Sequence, residues 1–183
     1  MVLIRRAHSA DAADIAGVFV ESWRSTYPGL IPDDYLVGLS VRKSTLRWYT
    51  ELTQTEEGAN GVFVAVDPPR GIVGFGSCGV QRTRFSDFEG EFYTLYLLDG
   101  GRGRGLGRRL LAAMAGELVG RGYSSALVRV LRDNQARWFY ERMGGEWIGE
   151  QTIYLAKTLL PEIAYGWRDL TVLARLPVNP SPG

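Results

Sequence analysis

The sequence predicts a mixed α/β domain, an α+β arrangement built around one mixed sheet. The chain has 183 residues, which is the length of a single domain. Hydrophobic residues make up 45% of it and charged residues 22%, as in an ordinary soluble globular protein. The predicted elements do not follow the strict alternation of strand and helix that is typical of a parallel α/β sheet. These three observations together define the fold class.

The first half of the chain contains segments with strand periodicity and segments with helical periodicity. Pro28 and Gly29 end the first predicted helix, and Pro32 stands where a helix-initiating proline belongs. The predicted elements of this half are a strand over 2–6, a helix over 9–25, a helix from Pro32, a helix over 40–52, a turn over 56–61, strands over 62–66 and 72–80, and a polar loop over 81–90.

The second half continues with elements that flank a glycine-rich turn. Leu106, Leu110, Met114 and Leu118 recur every four residues, which predicts an amphipathic helix. The predicted elements are a strand over 91–98, the turn over 99–107, a helix over 106–121, a strand over 126–131, a helix over 133–143, and late strands over 146–154 and 163–173. We expect a single domain over 1–175 and a disordered tail over 176–183.

Cysteine and histidine are almost absent from the sequence. Cys78 is the one cysteine and His8 the one histidine, so the chain cannot form an intrachain disulfide. Zinc sites built from cysteine and histidine need several such ligands. Catalysis of the Ser-His-Asp or Cys-His kind would depend on His8, which is far from any nucleophile motif. We therefore predict no metal site and interpret Cys78 and His8 as packing or surface residues.

Basic residues are concentrated in the middle of the chain. The formal net charge is +1, yet residues 100–142 contain nine arginines and three acidic residues. A basic segment within a nearly neutral protein favours a locally bound anion over a surface that binds nucleic acid. The Arg-Gly segment nevertheless leaves an RNA-binding protein as a weaker alternative.

The sequence shows no pattern typical of a membrane protein or of a secretory signal. Its longest stretch without a charged residue is 71–81, whereas a transmembrane helix needs about 20 apolar residues. Near the N-terminus, Asp11 and Asp14 follow Arg5 and Arg6 where a signal peptide would be apolar. We expect a cytoplasmic protein without membrane partners.

The glycine-rich turn predicts an anion-binding site. It follows a strand directly and opens a helix, where backbone N–H groups lack intrahelical partners and the helix dipole is positive. Glycines allow a phosphate to approach the backbone, and nearby arginines add positive charge, so the turn suits a pyrophosphate. No lysine is present for the P-loop pattern G-x-x-x-x-G-K-S/T, and the dinucleotide pattern G-x-G-x-x-G fails from both Gly101 and Gly103.

The pattern that fits is Q/R-x-x-G-x-G/A, which Arg102–Gly107 matches. A second segment, Asp133–Gly144, resembles D-N-x-x-A-x-x-F-Y-x-x-x-G but has one residue fewer between Asn134 and Ala136. With these two motifs the chain resembles the GNAT acetyltransferase superfamily over nearly its whole length. Further similarities are at Trp23–Tyr27, Leu95–Leu98 and Gly166–Leu170. Gly145 departs from the family, which usually has an aromatic residue there for packing.

The resemblance implies a GNAT-like fold with acetyl-CoA as cosubstrate. The central sheet would be mostly antiparallel, with its fourth strand (91–98) and fifth strand (126–131) splayed apart around acetyl-CoA. The fourth strand would pair with the pantetheine arm, the turn would bind the pyrophosphate, and a backbone N–H near Leu95 would polarise the thioester carbonyl. The implied cofactor-binding residues are Leu95, Leu97, Arg102, Gly103, Arg104, Gly105, Leu106, Gly107, Arg108 and Asn134.

The resemblance also implies two catalytic residues. Tyr140 matches the tyrosine that protonates the departing thiolate, and Glu91 stands where some members have a general base that takes the proton of the amine. Period-two alternation would place Glu91 on the same face as Tyr93, Leu95 and Leu97. No covalent acetyl-enzyme is expected.

Structural interpretations of these residues remain open beside the functional ones. Asn134 could cap its helix, Tyr140 could be a core tyrosine, and Glu91 could be a solvated charge at a strand edge. If Glu91 is not the base, Asp87, Glu89 and Tyr93 are nearby substitutes. The aromatic residues expected either to line the acceptor pocket or to fill the core are Trp23, Tyr27, Tyr35 and Trp48.

The leading hypothesis is an N-acetyltransferase that transfers acetyl from acetyl-CoA to a primary amine of a small molecule or a protein. A non-catalytic sensor that binds acyl-CoA is the alternative from another class. No nucleic-acid partner is expected, and a homodimer is compatible with the resemblance.

Overall fold

The computed structural model describes residues 1–56, 60–82 and 87–179. Parts of the predicted turn over 56–61, the polar loop over 81–90 and the end of the chain lie outside these residues. Seven strands form one sheet in the order β1-β2-β3-β4-β5-β7-β6. The strands are β1 (Leu3–Arg6), β2 (Gly61–Asp67), β3 (Gly71–Val80), β4 (Gly90–Leu97), β5 (Ala126–Leu131), β6 (Glu146–Leu155) and β7 (Thr158–Trp167). The helices are α1 (Ala12–Thr26), α2 (Asp33–Val37), α3 (Val41–Glu56), α4 (Leu106–Gly120), α5 (Arg137–Arg142) and α6 (Thr171–Ala174).

Helices cover both faces of the sheet. On one face, buried residues of α1 and α3 such as Ile15 and Leu52 pack against Phe75 of β3. On the other face, Leu111 and Met114 of α4 pack against β4, β5 and β7. The amphipathic pattern of the sequence therefore corresponds to two cores separated by the sheet.

The sheet is antiparallel except between β4 and β5, which are parallel and paired at three positions. Beyond Phe92 and Val128 the two strands have no paired residues, although β4 continues to Leu97 and β5 to Leu131. The pairing of β4 with β3 shifts at the same place, where Tyr93 is an extra residue. Such a β-bulge bends its strand, so we attribute the separation of β4 from β5 to it. The predicted splay of the fourth and fifth strands is confirmed.

The late strands differ in part from the prediction. The strand predicted over 146–154 is confirmed as β6, but the prediction of a strand over 163–173 is wrong at both ends. β7 begins at Thr158, because Ala156 and Lys157 form a tight hairpin turn with positive φ, which Asn-Gly more commonly forms. It ends at Trp167, and the short helix α6 follows.

The last described residues are attached to the domain. Asn179 accepts a hydrogen bond from the Ile4 N–H and donates one to the Ile4 carbonyl oxygen. Val178 packs against the cluster of β1 and α4, and its carbonyl oxygen accepts from Arg109. The described part of the predicted tail therefore makes specific contacts instead of being disordered, and residues 180–183 lie outside the described residues.

The structure has no helix, within the residues it describes, with the length and apolar character needed to cross a membrane.

Candidate active site

A cleft of about 940 Å³ opens where β4 and β5 separate. The peptide groups of the β4 edge at Leu95 and Leu97 and of the glycine-rich turn at 102–108 form one side of the cleft, here called the backbone wall. The side chains of Trp23, Tyr27, Tyr96, Tyr140 and Glu162 form the other side, called the side-chain wall. Both walls contain residues singled out in the sequence, and the splay brings them together in a single cleft.

In the backbone wall, two glycines shape the turn before α4. Gly103 has φ of +72° and Gly105 has φ of +74°, a left-handed conformation that glycine adopts at little cost. A Cβ atom at either position would meet nothing within 4 Å, so the surface above the turn is open. Among the described residues, none of the N–H groups of 103–108 donates to a backbone carbonyl oxygen. The first N–H group of the helix that does so is that of Arg109, which donates to Gly105. The turn thus presents several free donors at the N-terminus of a 15-residue helix.

Two arginines of the turn are held by other side chains. Arg102 pairs with Asp99 at 3.1 Å and donates to the Thr26 hydroxyl at 3.0 Å. Arg104 pairs with buried Asp67 at 3.1 Å. Arg102 lines the cleft, whereas Arg104 does not. Arg104, which the resemblance implies as a cofactor-binding residue, thus directs its guanidinium to Asp67 and not into the cleft.

Arg108 and Arg109 have opposite roles. Arg108 is exposed, lines the cleft and forms no ion pair with any described residue. Arg109 donates to the backbone carbonyl oxygens of Val2 and Val178 and so joins the two ends of the described chain. Arg108 is thus the arginine of α4 available to an anion in the cleft.

The open edge of β4 continues the backbone wall. The Leu98 N–H donates to the Val73 carbonyl oxygen, so alternation directs the peptide groups of Leu97 and Leu95 away from β3 and toward the splay. The Leu97 carbonyl oxygen accepts a hydrogen bond from the Ser22 hydroxyl at 3.3 Å. The remaining peptide groups at this edge can pair with an extended ligand, as expected for Leu95 and Leu97.

Tyr140 lies in the side-chain wall and is buried, yet it lines the cleft. Its ring packs edge-on against Phe139 and Trp167, which fixes its orientation. Burial, and to a smaller extent the nearby phenol of Tyr27, raise the pKa of Tyr140 above its usual range. The phenol is therefore protonated at neutral pH and able to donate its proton. Tyr140 is a core residue that also reaches the cleft, and its catalytic role stays a prediction.

Asn134 binds the backbone of the segment before α5 but does not cap the helix, whose N-cap residue is Ala136 without a side-chain capping bond. Its side-chain oxygen accepts a hydrogen bond from the Ala136 N–H at 2.9 Å, at the start of the turn that leads into α5. The residue is buried and also lines the cleft beside Tyr27. Asn134 therefore positions the segment that carries Tyr140.

Four aromatic residues had been expected in the acceptor pocket or the core, and the structure separates them. Trp23 and Tyr27 line the cleft, and their ring centroids lie 4.7 Å apart. Tyr35 lies at a second cavity of about 670 Å³ between α2 and α3. Trp48 is a core residue that packs edge-on against Phe75.

A further tyrosine, Tyr96, completes the aromatic surface of the cleft. Its hydroxyl lies 3.5 Å from the hydroxyl of Tyr27. Burial raises the pKa of Tyr96 well above its usual range, and the adjacent Tyr27 adds to this effect. Burial likewise raises the pKa of Tyr27. The aromatic surface is therefore uncharged at neutral pH.

Glu91, which was predicted as a general base, lies in a buried group of ion pairs. Its side chain is 1% exposed and does not line the cleft. Arg82 binds it through both its guanidinium and its backbone N–H, and Arg129 donates to it at 3.0 Å. Burial raises the pKa of Glu91, but these hydrogen bonds and charges outweigh burial and hold the pKa below its usual value. Such a carboxylate is a poor proton acceptor.

The predicted face of Glu91 is wrong, and the bulge is the reason. Phe92 and Leu95 both pack toward α4, although they are three positions apart and regular alternation would place them on opposite faces. The extra residue at Tyr93 thus shifts the alternation of β4 by one position. Glu91 therefore lies on the face opposite to Leu95 and Leu97.

The three residues named as alternatives to Glu91 for the general base are either bound by other groups or lie away from the cleft. Glu89 is bound by the backbone N–H and the hydroxyl of Ser124. Tyr93 lines the cleft, but its hydroxyl donates to the Val80 carbonyl oxygen at 2.6 Å. Burial raises the pKa of Tyr93 to about 12. Asp87 is exposed and does not line the cleft.

Sequence reasoning missed Glu162, a carboxylate that does line the cleft. It lies on β7 opposite Leu131 of β5, at the position where β5 has separated from β4. The sequence predicted the late strand from residue 163 onward, so Glu162 fell in an unassigned segment. The neighbouring Pro161 makes this strand difficult to predict from sequence, because proline is disfavoured within sheets. The other residues around it include leucine and isoleucine, which are common in strands.

Cys78 is a core residue, as expected. It is fully buried, and burial raises the pKa of its thiol to about 12. Among the described residues, no three His, Cys, Asp or Glu side chains are grouped closely enough to hold a metal ion.

Comparisons with known proteins agree with this architecture. The family described as FR47-like protein matches residues 80–155. A Bacillus subtilis (strain 168) protein named as the uncharacterized N-acetyltransferase YuaI is 38% identical over 176 residues, which cover 96% of this chain and 98% of that protein. This similarity covers nearly the whole length of both chains.

Two solved structures share the fold. The PaiA N-acetyltransferase of Thermoplasma acidophilum, in complex with coenzyme A, has a TM-score of 0.67 at 18% identity, over 88% of this chain and 98% of that chain. The putative acetyltransferase YncA of Salmonella typhimurium, with acetyl-CoA, has a TM-score of 0.67 at 19% identity, over 92% and 94% of the two chains. The splayed sheet, the two sequence motifs and the near full-length N-acetyltransferase relative lead to one conclusion, that this chain belongs to the GNAT N-acetyltransferase superfamily.

Proposed function

We propose that the protein transfers the acetyl group of acetyl-CoA directly to a primary amine. The observation that carries this proposal is the single cleft that joins three features: the free N–H groups of 103–108, the unpaired edge of β4 and the phenol of Tyr140. The relatives named with bound coenzyme A or acetyl-CoA support the choice of cosubstrate.

The backbone wall has the properties needed to hold coenzyme A. The free N–H groups and the positive end of the α4 dipole would bind the pyrophosphate, with Arg108 adding charge. The open space above Gly103 and Gly105 leaves room for phosphate oxygens. The peptide groups of Leu95 and Leu97 would pair with the amides of the pantetheine arm, and an N–H of this edge would polarise the thioester carbonyl.

Tyr140 is the proposed proton donor. The amine nitrogen forms a bond to the thioester carbon, the carbon–sulfur bond breaks, and the sulfur takes the proton of the Tyr140 hydroxyl. An acceptor that binds as an ammonium first releases one proton to water, because only the neutral nitrogen is a nucleophile. The nitrogen loses a second proton as the amide forms, and this proton restores the phenol. The high pKa of Tyr140 suits this exchange, because the phenol is fully protonated when the reaction begins.

Glu91 is proposed to act as a positioning residue and not as the base. It binds Arg129, and Arg129 reaches both Glu91 and Glu162. Loss of Glu91 would leave Arg129 with one carboxylate partner instead of two, and would release Arg82. Its effect on the reaction would therefore pass through the shape and charge of the cleft.

The test is a turnover assay with acetyl-CoA and a panel of primary amines. We expect amine-dependent release of the coenzyme A thiol, together with a product that has gained one acetyl group by mass spectrometry. Binding of acetyl-CoA without thiol release for any amine would favour the sensor alternative. If acetyl-CoA does not bind, the proposed function is wrong.

A further inference from the structure

Glu162 presents one bound and one unbound carboxylate oxygen. Oε2 accepts hydrogen bonds from Gln151 at 2.7 Å and from Arg129 at 3.4 Å. Oε1 has no hydrogen-bond partner among the described residues, and the side chain is 12% exposed and lines the cleft. A carboxylate fixed through one oxygen leaves the other as a preorganised acceptor for a cationic donor.

Other charges in the cleft are less suited to bind a cation. The charged residues that line it are Arg102, Arg108, Arg129, Asp133, Arg142 and Glu162. Asp133 is 64% exposed and lies 3.7 Å from the guanidinium of Arg132. Glu162 is therefore the less exposed of the two carboxylates that line the cleft, and a cation beside it would be partly shielded from water.

The positive charge of Arg129 is already balanced by carboxylates of the protein. It pairs with Glu91 at 3.0 Å and with Glu162 at 3.4 Å, and Arg82 adds a second positive charge to Glu91. The four side chains together carry no net charge. A substrate carboxylate beside Arg129 would compete with two protein carboxylates and would approach the negative charge of Glu162.

Besides its polar partners Gln151 and Arg129, Glu162 shares the cleft with apolar and aromatic residues. Its cross-strand neighbour Leu131 packs against the cluster that contains Tyr27, as do Trp23 and Leu155. Trp23, Tyr27, Leu131 and Leu155 all line the same cleft. This surface fits the hydrocarbon part of a ligand whose charged end reaches Oε1.

We infer that Glu162 binds the ammonium group of the acceptor, and that the acceptor is a primary amine on an alkyl or aryl body with no carboxylate next to the nitrogen. The inference rests on the proposed function and specifies its acceptor. Amines and α-amino acids with the same side chain differ in the carboxylate alone, so they separate the two classes of acceptor.

The first test uses the wild-type protein and two matched pairs of acceptors. These are 2-phenylethylamine with phenylalanine, and 3-methylbutylamine with leucine. We expect kcat/KM to be at least about 100-fold higher for the amine of at least one pair, because the amino acid brings a second negative charge to Glu162. If kcat/KM for both amino acids equals or exceeds kcat/KM for the matching amines, the inference is wrong. So would binding of acetyl-CoA without turnover of either amine.

The second test compares Glu162→Gln with Glu150→Gln. The control residue is an exposed glutamate on β6 that pairs with Arg132 and does not line the cleft. For Glu162→Gln we expect at least about a tenfold loss of kcat/KM for the amine, mainly through KM, and a smaller preference for the amine over the amino acid. The dissociation constant of acetyl-CoA should not change. If both variants retain wild-type kcat/KM, Glu162 does not bind the acceptor.

The two tests separate failure of this inference from failure of the proposed function. An enzyme that acetylates amino acids, or one that ignores the Glu162→Gln substitution, still supports acetyl transfer but refutes the role of Glu162. A protein that does not bind acetyl-CoA refutes both. If the variant does not fold, the wild-type comparison of amine and amino acid still decides the inference.

Discussion

The two walls of the cleft are built from different parts of the chain. The backbone wall consists mainly of peptide groups from a single continuous segment, β4 to the start of α4. The side-chain wall collects residues from α1, β4, β7 and α5. A wall of peptide groups tolerates changes of side chain but depends on backbone conformation. A wall of side chains depends on each residue and on the packing that orients it, so the two walls should respond differently to substitution.

The largest effect is expected in the side-chain wall, at Tyr140. Tyr140→Phe removes the proton donor but retains the ring that packs against Trp167. We expect kcat to fall about 10²- to 10³-fold, within the range typical of general acid catalysis, while the affinity for acetyl-CoA is kept. Steady-state kinetics and calorimetric titration measure the two quantities. Tyr154→Phe, at an exposed position on β6, is the control. An unchanged kcat in Tyr140→Phe would refute the assignment.

The backbone wall should respond most strongly at Gly105. A β-branched residue at φ of +74° is strained by about 1–3 kcal/mol, and relief of this strain moves the N–H groups of the turn. Gly105→Val should weaken binding of acetyl-CoA about 10- to 100-fold. Gly122→Val introduces the same kind of strain at the other end of α4, with φ of +88°, and should cost stability but not affinity. Equal affinities of the two variants would contradict the importance of the turn.

An intermediate effect, on stability, is expected for Glu91→Gln. Removal of one partner from a buried ion pair costs about 3–5 kcal/mol, and Arg129 keeps a second partner, so we expect a loss of about 3 kcal/mol. The pKa of Glu91 is lower in the folded protein than in the unfolded chain, so its stabilisation is present above the unfolded value and is lost as pH falls through the folded value.

The difference in unfolding free energy between wild type and Glu91→Gln should therefore be constant near neutral pH and should shrink below about pH 4.3, the ordinary glutamate value. Urea unfolding at several pH values measures this difference. A difference that grows on acidification would contradict the ion-pair interpretation of Glu91.

The smallest effect sharpens the contrast within the backbone wall. Arg104 is paired with Asp67, whereas Arg108 is exposed in the cleft. Arg108→Gln should weaken acetyl-CoA binding about fivefold, a typical contribution of an exposed charge near a helix N-terminus, and Arg104→Gln by less than about twofold. Titrations at low and at high salt should show the larger salt dependence for the wild type and Arg104→Gln. The reverse order of effects would show that Arg104 leaves Asp67 when ligand binds.

The same contrast explains what the sequence could and could not predict. The turn at 102–107 and the segment that carries Tyr140 are local patterns, and glycine spacing and helix signals are visible without knowledge of the fold. The orientation of Glu91 depends on a bulge at Tyr93 that arises from pairing with β3, which no local pattern reveals. Glu162 depends on the end of one strand and the start of another, and the Ala156-Lys157 turn carries no typical turn residue. Strand pairing between distant parts of the chain thus determines which side chains of the sheet reach the side-chain wall.

The most direct test of the central claim is the melting temperature of the wild-type protein with and without acetyl-CoA, with NAD as a control. A ligand at about 100 times its dissociation constant stabilises a protein by about 2.7 kcal/mol. For a domain of this size, a stabilisation of that magnitude raises the melting temperature by about 5–11 °C. We predict a shift of this magnitude with acetyl-CoA and none with NAD. The absence of any shift at millimolar acetyl-CoA would contradict the assignment of the cleft, and with it the role of Tyr140.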